Sequence, residues 1–158
     1  MDQGHSIEVV RGRLGGEDEG EVLAFWAERA DLSGEAARRR LPQVVCQLRS
    51  GDGALAGDNS AYEGGVSLIG GRRFWIYRSL LAPDAGDEVW ELMLMACFDE
   101  LAPGFEEGDP IGVFAPVEVP GLPERMPEAI WPRSGFMYAG FLPDGRQARV
   151  RHLPEGRV

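Results

Sequence analysis

The sequence predicts an α+β domain built on a central sheet, and three observations predict it. The stretch Arg73–Gly104 reads as a strand, a short loop and a helix with one thin polar stripe. Two further stretches read as hairpins, one across Ser50-Gly51-Asp52-Gly53 and one across Pro143-Asp144-Gly145. The remaining periodicities alternate between two and 3.6 residues, in the order β, α, α, β, β, β, α, β, α, β, β.

Each element follows from its local pattern. Ser6–Arg11 alternates weakly and is a first strand. Gly12–Gly20 is rich in glycine and acids and reads as a connection. Glu21–Ala30 then places Val22, Leu23, Trp26 and Ala30 at helical spacing. Ser33 is placed to cap a second helix ending at Arg40, before Pro42. Three consecutive arginines, Arg38 to Arg40, cannot share one helix face, so a solvated surface accounts for them better than an anion site.

Val44–Arg49 and Ala54–Tyr62 form the first hairpin. Val66–Ile69, bracketed by glycine pairs, reads as an irregular extension. Phe74–Leu81 carries apolar residues on both faces, which predicts a central strand. The run Val89–Phe98 is nearly all apolar and belongs to a helix packed on a sheet. Ile111–Val119 is a further strand, in which Pro116 demands an open edge, a bulge or a splay. A short helix is expected around Glu128–Trp131, and Phe136–Leu142 with Gln147–Leu153 complete the second hairpin.

Composition bounds the function. The chain has 158 residues, about the length of one domain, and no repeat or linker divides it. Its formal net charge is −10, from 26 acidic and 16 basic residues, which opposes nucleic-acid binding because phosphates would be repelled. No apolar run approaches the ~20 residues of a membrane span, and the first residues lack the pattern of a signal peptide, so a cytoplasmic protein with no membrane partner is expected. Cys46 and Cys97 sit in apolar segments and read as small core residues. No His, Cys or Asp spacing suggests a metal site, and there is no Gly-x-Ser-x-Gly motif for nucleophilic hydrolysis.

The ordered set of hairpin VVCQLRSGDGALAGDNSAY, strand-loop-helix FWIYRSLLAPDAGDEVWELMLMACFDEL and terminal WPRSGFMYAGFLPDGRQARVRHL resembles the GNAT superfamily, the Gcn5-related N-acetyltransferases, over nearly the whole chain. Gly135-Phe136 sits where that family often has a Gly-Phe pair entering its sixth strand. The resemblance implies a three-layer fold, with a central mixed, mostly antiparallel sheet and helices on both faces. It also implies an acetyl-CoA or other acyl-CoA ligand, a small-molecule amine as acceptor, and a pyrophosphate on the loop before the long helix. Leu80, Leu81, Ala82, Ala85, Gly86 and Asp87 are the residues this assigns to the acyl-CoA site. The family's Arg/Gln-x-x-Gly-x-Gly/Ala pattern is not kept there: Asp84, Asp87 and Glu88 surround the loop, Asp84 or Asp87 can cap the helix and so compete with a phosphate for the same amides, and Glu88 complements the helix dipole.

The family's proton-donating tyrosine falls on Trp131, which cannot serve. Tyr138 is the substitute on the next strand, and Glu118, near the end of the strand with Pro116, is the best general base. Asp58, Glu63 and His152 are weaker candidates. Two functions therefore stand side by side: an N-acyltransferase using acyl-CoA, and a GNAT-like domain that has lost the acyl-CoA site and serves as a binding or homodimerisation module.

Overall fold

Two adjacent residues in one strand explain the layering of the first half of the molecule. Asp58 and Asn59 follow each other in β3 (Leu55–Val66) and therefore point to opposite faces of the sheet. Asp58 accepts from the indole Nε1 of Trp26 in α1 (Gly16–Ala30), whereas the Asn59 side-chain amide donates to the Met93 carbonyl of α3 (Gly86–Leu101) at 2.9 Å. Helices α1 and α3 thus cover opposite faces.

The computed structural model describes residues 4–105 and 110–153. Among them run β1 (Ser6–Val9), α1 (Gly16–Ala30), α2 (Gly34–Arg40), β2 (Val44–Arg49), β3 (Leu55–Val66), β4 (Arg72–Leu81), α3 (Gly86–Leu101), β5 (Gly112–Pro116), α4 (Leu122–Arg125), β6 (Met137–Phe141) and β7 (Gln147–His152). Hydrogen bonding orders the sheet β1-β2-β3-β4-β5-β7-β6. The β4–β5 pair is parallel, and β1–β2, β2–β3, β5–β7 and β6–β7 are antiparallel, so the sheet is mixed and mostly antiparallel. The predicted order of elements is the observed one, and β4 holds the middle of the sheet.

The chain forms two compact units. The first comprises the residues up to Ala61 with Ser79–Cys97, and the second Tyr62–Arg78 with the chain from Phe98 onward. In the first, Val22, Phe25 and Trp26 of α1 pack with Ala37, Leu41 and Val44, and Leu80 of β4 lies against them. In the second, Phe74, Ile111, Phe114 and Val150 form the core, with Phe74 and Phe114 edge to face at 6.3 Å. Both cysteines are buried free thiols.

Several boundaries differ from those expected. Helix α1 begins at Gly16, not Glu21. The acidic run that reads as a connection is its first turn, where Glu17, Asp18 and Glu19 face the positive end of the helix dipole. Strand β3 runs on to Val66, and Ser67–Ile69 is a 3₁₀ turn. Strand β5 is shorter than Ile111–Val119 and stops at Pro116. No helix forms at Glu128–Trp131. The short α4 lies earlier, with a proline in its first two positions, where a missing N–H costs nothing. Ile130 instead bridges to Met137, and Trp131 exchanges backbone bonds with Phe136 and Gly135. Arg38 and Arg39 are exposed as expected, but Arg40 is half-buried with its guanidinium 5.5 Å from the Trp26 ring.

Candidate functional site

Pro116 shapes the region around the expected base. The amides of Val117 and Leu153 bond to Gln147 and Ile111 respectively, so alternate residues of β5 face β7 and the imide nitrogen of Pro116 turns to the other edge. On that edge the parallel register with β4 covers Trp75–Val113 and Ile76–Phe114, two residues short of Pro116. A proline there removes the donor that a longer ladder would need.

Glu118 follows two residues later. It is half-buried and forms part of the wall of a groove of about 670 Å³, together with Glu124, Phe141, Asp144, Arg146 and Gln147. Asp144 and Arg146 pair at 2.8 Å, and the backbone amide and guanidinium of Arg146 hold the Asp144 carboxyl below the usual range. Tyr138 is not a wall residue of this groove. It stands on β6, 47% exposed, with its ring edge to face with Phe141 at 5.8 Å. Trp131 is fully buried, donates its indole N–H to the Met126 carbonyl and carries the Arg149 guanidinium 4.2 Å from its ring, so its role is structural.

The loop assigned to acyl-CoA lies in the other unit. Leu80 turns into the α1–α2 core, and Leu81 lies against Gly57. The Ala82 amide bonds to the Ala56 carbonyl and that of Ala85 to the Ala82 carbonyl, so two loop donors are already used. Gly86 has φ +88 with open space around it, so the glycine serves the backbone turn into α3. Half-buried Asp87 and exposed Glu88 occupy the first turn of α3, and Asp84 is exposed just before it. The helix terminus suits an anion, but these three carboxylates oppose a diphosphate.

Asp58, a weaker candidate in the sequence, is the most perturbed acid described. It is fully buried, with both oxygens within 3.0 Å of the Trp26 Nε1, and burial pushes its carboxyl up to about 7 against the lowering effects of that hydrogen bond and of Arg40. Glu63 is paired with Arg73 at 3.1 Å on the surface, and His152 packs edge to face on Phe74 at 5.8 Å. Among the described residues no three His, Cys, Asp or Glu side chains are grouped to hold a metal, and no helix is long and apolar enough to cross a membrane.

Sequence reasoning missed a cavity of about 490 Å³ walled by Val66, Leu68, Ile76, Phe114, Phe141 and Leu142. Its only signal is the apolar segment Val66–Ile69 between glycine pairs, which makes sense as a wall once the second hairpin is placed beside it.

No family model matches the sequence, and no curated protein is similar to it. Solved structures do match in fold. A GNAT superfamily phosphinothricin acetyltransferase from Sinorhizobium meliloti, in complex with AcCoA, superposes with a TM-score of 0.62 at 14% identity, over 97% of this chain and 90% of that one. The GNAT family N-acetyltransferase YhbS from Escherichia coli, in complex with CoA, gives 0.60 at 13% identity over 98% and 84%. A ribosomal-protein-S5-alanine acetyltransferase from Vibrio fischeri gives 0.60 at 9% identity over 100% and 98%.

Proposed function

The chain has the GNAT acetyltransferase fold, and from that premise we propose that it is an N-acyltransferase that takes an acyl group from acyl-CoA, as substrate, to an amine. The observation that carries the reading is the placement of Glu118, a half-buried carboxylate on a groove wall directly beyond the strand that Pro116 ends. An amine is protonated at neutral pH and must lose a proton before its nitrogen can attack. Glu118 accepts that proton. The N–C bond then forms as the C–S bond of the thioester breaks, the nitrogen sheds its second proton to solvent, and the sulfur leaves with the electron pair and takes up a proton. Tyr138 is assigned as the donor of that last proton, its exposed phenol being the group on β6 able to give one.

A second reading has its own support. Asp84, Asp87 and Glu88 place like charge where a diphosphate would bind, as expected of a GNAT-like module that has given up the acyl donor. Its interaction surface would be β6, the last strand of the sheet, with Met137, Tyr138 and Phe141 exposed along it, and the partner a second copy of the chain.

Thermal unfolding with acetyl-CoA separates the two. Ligand at 100 times its dissociation constant stabilises the folded state by about 2.7 kcal/mol. A rise in melting temperature supports the transferase. An unchanged melting curve and unchanged amide spectrum at millimolar acetyl-CoA remove it and leave the binding module.

A further inference from the structure

We infer that the second unit binds an amphiphilic amine, with its apolar body in the cavity beside Phe141 and its ammonium group in the groove that contains Glu118. The two concavities share Phe141 as a wall. The first, about 490 Å³, lies within the roughly 300–1,000 Å³ typical of small-molecule sites. Among the described residues that form it, Ser67 alone has a polar side chain, so its complement is an alkyl chain or an aromatic ring. A sugar or phosphate would meet no charged side chain among the described wall residues there.

The second concavity has the opposite character. Glu118, Glu124 and Asp144 face it with Arg146 as the cation, and Arg146 is engaged by Asp144 at 2.8 Å. The formal balance is therefore negative and selects a cationic head over a carboxylate. Phe141 joins the two regions. It is 57% exposed, an aromatic surface that a ligand would cover, and its ring can face an ammonium group as well as an apolar tail. Gly140 lies on β6 beside the turn that lines the apolar cavity. Its φ is +111, and a Cβ there would lie 3.5 Å from Leu68 Cδ2, so β6 comes close to the 3₁₀ turn that bears Leu68 and Ser67. An alkyl- or arylalkylamine has a part for each region, and a small polar amine leaves the apolar cavity wet.

As the acceptor site of an acyl transfer this inference rests on the transferase reading; as a binding site it does not. The test is equilibrium titration of the full chain with n-octylamine, n-octanol and octanoate, followed by calorimetry or amide chemical shifts. Octylamine is expected to bind at least about tenfold more tightly than octanoate, a difference of about 1.4 kcal/mol. Ser67→Trp places an indole in the cavity from an exposed position and should weaken octylamine about tenfold or more with an unchanged circular dichroism spectrum. Glu124→Gln should narrow the preference for octylamine over octanoate while leaving octanol binding unaltered. Equal binding of octylamine and octanoate, or full octylamine affinity in Ser67→Trp, overturns the site. Octylamine binding by a chain that acetyl-CoA does not stabilise keeps this site and sinks the transferase, and the reverse result does the opposite.

Discussion

Asp58 and Asn59 show how much one residue's surroundings decide. Asn59 accepts from the Cys46 amide at 2.8 Å and donates to Met93, so its buried amide is matched on both sides. Asp58, one position away, meets an indole N–H with the Arg40 guanidinium beyond it, and burial dominates its proton affinity. Because its folded pKa lies above the unfolded value of 3.8, the folded state holds the proton more firmly. The stability this contributes is fully present below about pH 4 and is lost as pH rises through about 7. Between roughly pH 5 and pH 8 the wild-type melting temperature should therefore fall, by the equivalent of about 2–4 kcal/mol, and Asp58→Asn should flatten that slope. A variant with the wild-type slope would assign the effect to another group. Glu21, held low chiefly by its hydrogen bond with Arg49, acts with the opposite sign and at lower pH. Glu118 belongs to the same scale. As the base, its change to Gln should cut turnover at neutral pH about 10²-fold or more with little change in melting temperature. Undiminished turnover would clear it of the role.

At the scale of elements, the approach of β4 to β3 depends on a missing side chain. A Cβ at Gly57 would lie 2.5 Å from Leu81 Cδ2 and 2.9 Å from the Leu80 carbonyl oxygen, and the second neighbour is backbone that cannot swing away. Gly57→Ala should cost about 1–3 kcal/mol in chemical denaturation, although alanine is ordinarily better than glycine in a strand. A stabilised variant would mean that the two strands have slack. The elements were legible where pattern and burial agree. Strand β2 has the expected bounds, Val44–Arg49, because its apolar run and the turn after it are local signals. The first turn of α1 was hidden because an acidic, glycine-rich run is typical of a loop and also suits a helix N-terminus. The prolines around Glu128–Trp131 left room for a helix in pattern only. The backbone bonds of Trp131 go to Phe136 and Gly135, so they close a turn after Trp131 instead of extending a helix before it.

For the whole molecule, the fold match at 9–14% identity to the three acetyltransferases shows that layering and strand order survive when nearly every residue differs. Fold does not fix chemistry. Acetyl-CoA that binds the folded state would shift global unfolding wherever its contacts lie. Periodicity and residue type over a few neighbours are enough to read the order of elements, the middle position of β4 and the acidic loop before α3. Packing buries Asp58 against Trp26 and makes Phe141 a wall of both the Glu118 groove and the apolar cavity. Burial and juxtaposition join residues far apart in the chain, and no local pattern records which of them will share a face.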